Sequence, residues 1–172
     1  MSRSFTITLA QGRLVFEPDG DRYAHLWEVV TSGGVRATLS SVEGGEVDAW
    51  PQSPPLQQVH LERTHSGQEI VLAVGMAGRS HWSASFELLD DGAALRAEIA
   101  CRCWSAPRYL GSRYRLSCAN ADVPPELRVT PLVETTRFVW LANDAASELQ
   151  IDASWSAITW PQTLQWRYRI EV

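Results

Sequence analysis

Two short stretches hold most of the side chains that could do chemistry. Residues 79–87 read RSHWSASFE and residues 95–104 read LRAEIACRCW. They bring His81, Cys101 and Cys103 close together in sequence, with Trp82 and Trp104 beside them. Histidine and cysteine are metal ligands, and paired thiols are redox groups, so a metal or thiol site is the first chemistry to weigh.

The link between the stretches contains Asp91-Gly92, the dipeptide favoured in two-residue hairpin turns. With these two residues at the tip, Trp82 falls opposite Cys101, Ala84 opposite Ile99, Phe86 opposite Ala97 and Leu88 opposite Leu95. That side is wholly apolar, and Cys103 continues it. The other side sets His81 opposite Arg102, Ser83 opposite Ala100, Ser85 opposite Glu98 and Glu87 opposite Arg96. A slip of one residue would mix the two sets, so the pattern itself supports the register. A bulged turn of three or four residues would sort them the same way. His81 and the cysteines therefore point apart, which removes the shared metal site. A Cys-x-Cys pair on one strand also cannot close a normal disulfide. The cysteines are expected as small core residues. Cys118 from another strand would still leave a fourth ligand wanting.

The polar side then carries the candidate site. Glu87 and Glu98 lie diagonally around Arg96, and two carboxylates so placed could serve as acid and nucleophile on a glycoside. A cross-strand ion pair on a wet surface is the simpler expectation. Trp104, with Arg79, Arg102 and His81 nearby, could instead form a stacking platform for a sugar, another small molecule or a protein. Arg108 and Tyr109 follow on an adjoining loop. Trp50-Pro51 and Trp160-Pro161 are further aromatic loop positions, at least one of which should only anchor its loop to the core.

The elements that must position these groups read as strands throughout. Period-2 alternation recurs, for example Phe5, Ile7 and Leu9, or Leu164, Trp166, Tyr168, Ile170 and Val172, whereas no useful helical period appears. Turn signals at Gln11-Gly12, 18–21 and Gly33-Gly34 separate the runs, and the glycine- and proline-bearing segment 43–55 is the longest expected loop. About ten to twelve short strands are expected, in an antiparallel sandwich or barrel. With no repeat and no shift of composition, 1–172 should be a single β domain.

Composition narrows the function. The basic residues, fifteen in all, are every one arginine. A chain without lysine cannot run a P-loop, a Schiff base, a pyridoxal-phosphate centre or the kinase strand lysine. A net charge of −5 without a basic run argues against nucleic acid. No stretch reaches the length of a membrane span, and no signal-peptide pattern opens the chain. Three cysteines, an odd number, suit a reduced, cytoplasmic protein. There is no G-x-S-x-G, H-E-x-x-H, G-x-G-x-x-G or C-x-x-C, so no cofactor or metal is called for, while four histidines leave a serine triad open.

The expected function is a non-catalytic binding module that uses Arg79, His81, Arg102, Trp104, Glu87 and Glu98 to hold a small molecule, glycan or protein. The alternative is a carbohydrate-active enzyme, hydrolase or epimerase in type, with a carboxylate-histidine site at Glu87, Glu98 and His81. A free edge strand would also allow a homo-oligomer.

Overall fold

The computed structural model describes residues 3–118, 126–142, 147–156 and 159–172. They form thirteen strands: β1 (Phe5–Leu9), β2 (Gly12–Asp19), β3 (Arg22–Thr31), β4 (Gly34–Ser41), β5 (Gln58–Arg63), β6 (Glu69–Ala77), β7 (Ser80–Leu89), β8 (Ala94–Cys103), β9 (Gly111–Cys118), β10 (Arg128–Pro131), β11 (Thr136–Ala142), β12 (Ser147–Ala153) and β13 (Gln162–Glu171). That is slightly more than the ten to twelve expected, because brief runs such as β10 are complete strands.

The strands make two antiparallel sheets. One runs β1-β2-β3-β4-β9-β12-β11 and the other β10-β13-β8-β7-β6-β5. Neither closes on itself, so the fold is a sandwich and the barrel is ruled out among the described residues. Two meanders, β1 to β4 and β5 to β8, begin the two sheets; β9, β11 and β12 then join the first, and β10 and β13 the second. β13 enters last, between β10 and β8.

Alternation explains why these segments pair face to face. In β13, Trp166, Tyr168 and Ile170 are fully buried while the residues between them stay at the surface. From β3, Trp27 fills the opposite side of the core, with Leu14, Phe16 and Leu39 around it. Both fully buried indoles find acceptors, as burial of a polar N–H demands. Trp27 Nε1 donates to the Gly92 carbonyl at 3.1 Å, and Trp166 Nε1 to Ser112 Oγ at 3.0 Å.

The β7–β8 register is the one read from the sequence, from His81 opposite Arg102 to Leu89 opposite Ala94. The turn itself differs from a two-residue tip. It spans four residues, with a 3-10 turn at Asp90–Gly92 and positive φ at Asp90, Asp91 and Gly92. The extra length lets the turn fold across the sandwich onto the β1–β2 hairpin. Gln11 N donates to the Asp91 carbonyl at 2.8 Å, and a Cβ on Gly12 would lie 2.0 Å from the Gly92 oxygen. At the far end, β6 runs on through residues 75–77 to a tight Gly78-Arg79 turn, because Ala77 pairs with Ser80.

The segment 43–55 crosses from one sheet to the other and is pinned along its length. Ser53 Oγ donates to the Arg113 carbonyl at 3.1 Å, the Leu56 carbonyl accepts from Tyr23 N at 2.7 Å, and Trp50 packs edge-on against Trp82. Buried Pro51, Pro54 and Pro55 complete a fixed connection.

Candidate functional site

Alternation on five adjacent strands builds the outer face of the six-stranded sheet. One row runs Gln58, Val74, Ser83, Ala100 and Gln165 across β5, β6, β7, β8 and β13. The row above holds Met76, His81, Arg102 and Thr163, and the row below holds His60, Leu72, Ser85, Glu98 and Arg167. A last row sets Ile70, Glu87, Arg96 and Arg169 side by side. All six expected site residues therefore lie on or beside one face.

They divide into two groups that behave differently. At the lower end, Arg96 holds both carboxylates. Its Nη1 is 2.9 Å from Glu87 Oε1, and its other amino group contacts Glu98 Oε1. Gln68 donates to the second Glu87 oxygen at 2.9 Å, and Arg167 Nε approaches Glu98 Oε2 at 3.6 Å. Arg169 is likewise engaged, by Asp90 and Glu171. This is a connected ion-pair lattice, with each acid and base already answered by a neighbour.

At the upper end the cations are unpaired. Arg79 and Arg102 have no carboxylate within ion-pair distance among the described residues, and both guanidiniums lie against Trp104, 5.5 and 6.0 Å from its ring centroid. The tight Gly78-Arg79 turn places Arg79 there, while Arg102 and Trp104 arrive at the end of β8. Stacking leaves the guanidinium edges free to donate.

Below them the surface dips. A depression of about 440 Å³ is lined by Val74, Met76, His81, Ser83, Arg102 and Thr163 among others. It adjoins a smaller one of about 280 Å³ through shared Ser83 and Ala100. The small side chains of these two residues form the low floor. The wall on β6 is apolar: Leu72, Val74 and Met76 are each 44–46% exposed. Sequence reading missed that wall, although alternation in Ile70-Val71-Leu72-Ala73-Val74 has no polar face to place outward, which was the available signal.

The inner face of the same strands carries the cysteines. Cys101 and Cys103 are fully buried with their sulfurs 3.4 Å apart and unbonded. The neighbouring Cys103 thiol and burial together push the Cys101 pKa far upward, so it stays a thiol. Cys118 lies on β9, in the other sheet, and no metal-binding cluster occurs among the described residues. An aromatic disulfide reagent is expected to titrate at most one thiol quickly in the native protein, that of half-buried Cys118, and all three after denaturation. Two fast equivalents would contradict the buried pair.

A second polar group, unanticipated, sits between the sheets. His25 points inward from β3, in register with Tyr23, Trp27 and Val29. Its Nε2 is 3.0 Å from the Tyr114 hydroxyl, which is 2.6 Å from that of Tyr168. Its ring stacks on Phe16 and meets Phe86. Burial alone drives the His25 pKa down to about 3. Nearby, Glu43 receives a 2.6 Å hydrogen bond from Ser41 Oγ, and burial raises its pKa to about 7 against the opposing pull of that bond and of Arg22. Arg22 itself is 4% exposed and bound to Asp21. The parity of His25 among Tyr23, Trp27 and Val29 was visible in the sequence. The placement of Glu43, on a loop, was not.

No helix in the described residues is long and apolar enough to cross a membrane. The chain matches no family model, no curated protein and no solved structure.

Proposed function

We propose that the protein is a single-domain, non-catalytic binding module whose ligand lies on the outer face of the six-stranded sheet. The chemistry of that face favours a small molecule or glycan with an anionic group and an apolar portion. One observation carries the reading: the arginines of the lower rows are all paired, whereas Arg79 and Arg102 are presented unpaired beside Trp104, at the head of an apolar depression. An anion would take guanidinium hydrogen bonds there, and the apolar portion would cover Val74 and Met76. Trp104 and His81 would border the anion. Glu87 and Glu98 would shape the far end only through their bonds to Arg96. The alternative, a carbohydrate-active enzyme, gains less support, since both carboxylates it needs are committed to one arginine.

Calorimetric titration with dodecanoate, dodecanol, glucuronate and glucose tests this. Dodecanoate should bind best, and the neutral member of each pair should bind weakly or not at all. Arg102→Ala should weaken dodecanoate by about tenfold to a hundredfold, the usual worth of a hydrogen bond to a charge. Trp104→Ala should weaken it also, whereas Arg169→Ala should leave it unchanged. Equal binding of neutral and anionic probes, or indifference to Arg102→Ala, would refute the site.

A further inference from the structure

The sandwich has four edges, and they are not equally protected. β10 is four residues long and ends in Pro131, which has no N–H to offer. β5 carries polar His60 and ends in Glu62 and Arg63, charges that discourage pairing. β1 is five residues long and carries Thr6 and Thr8 on one face. β11 is different. It is seven residues long, and Phe138, Val139 and Trp140 are 42%, 45% and 36% exposed, on alternating sides of the strand. A strand exposed on both faces and, among the described residues, bare along its backbone edge is a template for another strand.

The order of residues in β11 says which strand fits. Thr-Arg-Phe-Val-Trp-Leu-Ala is nearly symmetrical about Val139. We propose that β11 pairs antiparallel with β11 of a second copy about a two-fold axis at Val139, joining the two seven-stranded sheets into one. Such an axis requires a self-complementary patch. In this register Phe138 lies opposite the partner copy's Trp140, twice over, and Val139 meets itself. Aromatic pairs of that kind are among the more favourable cross-strand contacts. Charge agrees with the register as well. Arg137, the one charged residue of β11, falls opposite Leu141 of the second copy. Beyond that Leu141 lies Glu148, its neighbour on β12. No cation faces a cation.

Sedimentation of the full chain over a range of concentrations tests the pairing. The parent should be a dimer. Val139→Lys sets two ammonium groups face to face and should weaken the dimer by about a hundredfold, with the circular dichroism of the folded chain retained because the residue is exposed. Val139→Glu should do the same, and mixing the two variants should restore a dimer of one copy each. Should either variant fail to fold, Val139→Cys supplies the same information: it should oxidise to a disulfide-linked pair, while Thr130→Cys on β10 should not. A parent chain that is monomeric throughout overturns the proposal, whether its edge is bare or meets a different protein. A dimer that survives Val139→Lys, or a mixture that does not re-form one, overturns the placement of the axis.

Discussion

Gly12→Ala is expected to cost about 4 kcal/mol or more of folding stability, at the extreme end for a single methyl group. The new Cβ would lie 2.0 Å from the Gly92 carbonyl oxygen and 2.8 Å from its carbon. A flexible side chain could swing away from such a clash, but backbone cannot. The Gly92 oxygen accepts from Trp27 Nε1, and the adjacent Asp91 oxygen accepts from Gln11 N. Relief would therefore part the two hairpins and strand a buried indole N–H. Gly92→Ala should be at least as costly, because Gly92 has φ 101° and its Cβ would sit 2.3 Å from Gly12 N. Gly34→Ala is the control. It has φ 107° with nothing within 4 Å of the added methyl, so it should show backbone strain alone, about 1 kcal/mol. Urea unfolding of the three variants gives the comparison. If Gly12→Ala and Gly34→Ala cost the same, the close approach of the two turns is wrong.

The second large effect is a pH response that the parent conceals. His25 has its folded pKa depressed to about 3, from 6.5. Its contribution to stability is complete above pH 6.5 and is lost as pH falls toward 3, because only the unfolded chain takes up the proton. Glu43 runs the other way. Its folded pKa is raised to about 7, from 4.5, so its contribution is present below pH 4.5 and is lost as pH rises through 7. Between pH 4.5 and 6.5 the folded state holds its proton on Glu43 and the unfolded state holds one on His25. The proton counts match, and these two groups impose no slope. Arg22 and Asp19 act on Glu43, and the Tyr114 hydroxyl bonds His25, but neither arginine nor a buried tyrosine changes charge in this window.

Removing either member should expose the other. With His25→Phe, the unfolding constant should rise roughly tenfold per pH unit between 4.5 and 6.5, relative to the parent. With Glu43→Gln it should fall by the same factor over that interval. Urea titrations at three pH values suffice, since the remaining carboxylates are common to all the chains and cancel in the difference. Parallel profiles for parent and variants would show that one of the two groups is hydrated in the folded protein.

What the sequence disclosed, and what it withheld, follows from the range of the interactions concerned. The β7–β8 register was legible because alternation and a nearby Asp-Gly turn specify it within twenty-odd residues. The orientation of the cysteines followed at once. Choosing sandwich over barrel depends on which strands become edges, and β11 and β5 are edges only because distant strands pair elsewhere. In the site, the cross-strand pair Glu87–Arg96 was foreseen. That Arg96 would also take Glu98, leaving Arg79 and Arg102 as the unpaired cations, depends on side-chain reach over three strands. Glu43 was beyond local inference because it lies past the end of β4, where alternation no longer tells which way a side chain points. The outward apolar residues of β6, Leu72 and Val74, stand in a run with no polar alternation, and that was the local signal for them.

The seat of β13 between β8 and β10 has a consequence for the order in which the chain is made. The first eight strands emerge as two meanders whose neighbours are adjacent in sequence, so they can assemble as they leave the ribosome. β8 must then present an open edge until β9 to β12 have been synthesised and β13 arrives to pair with it. That interval is when this protein is most exposed to pairing with the wrong chain. Arg167 of β13 then comes to lie opposite Glu98 of β8, an attraction that helps the right strand to be chosen.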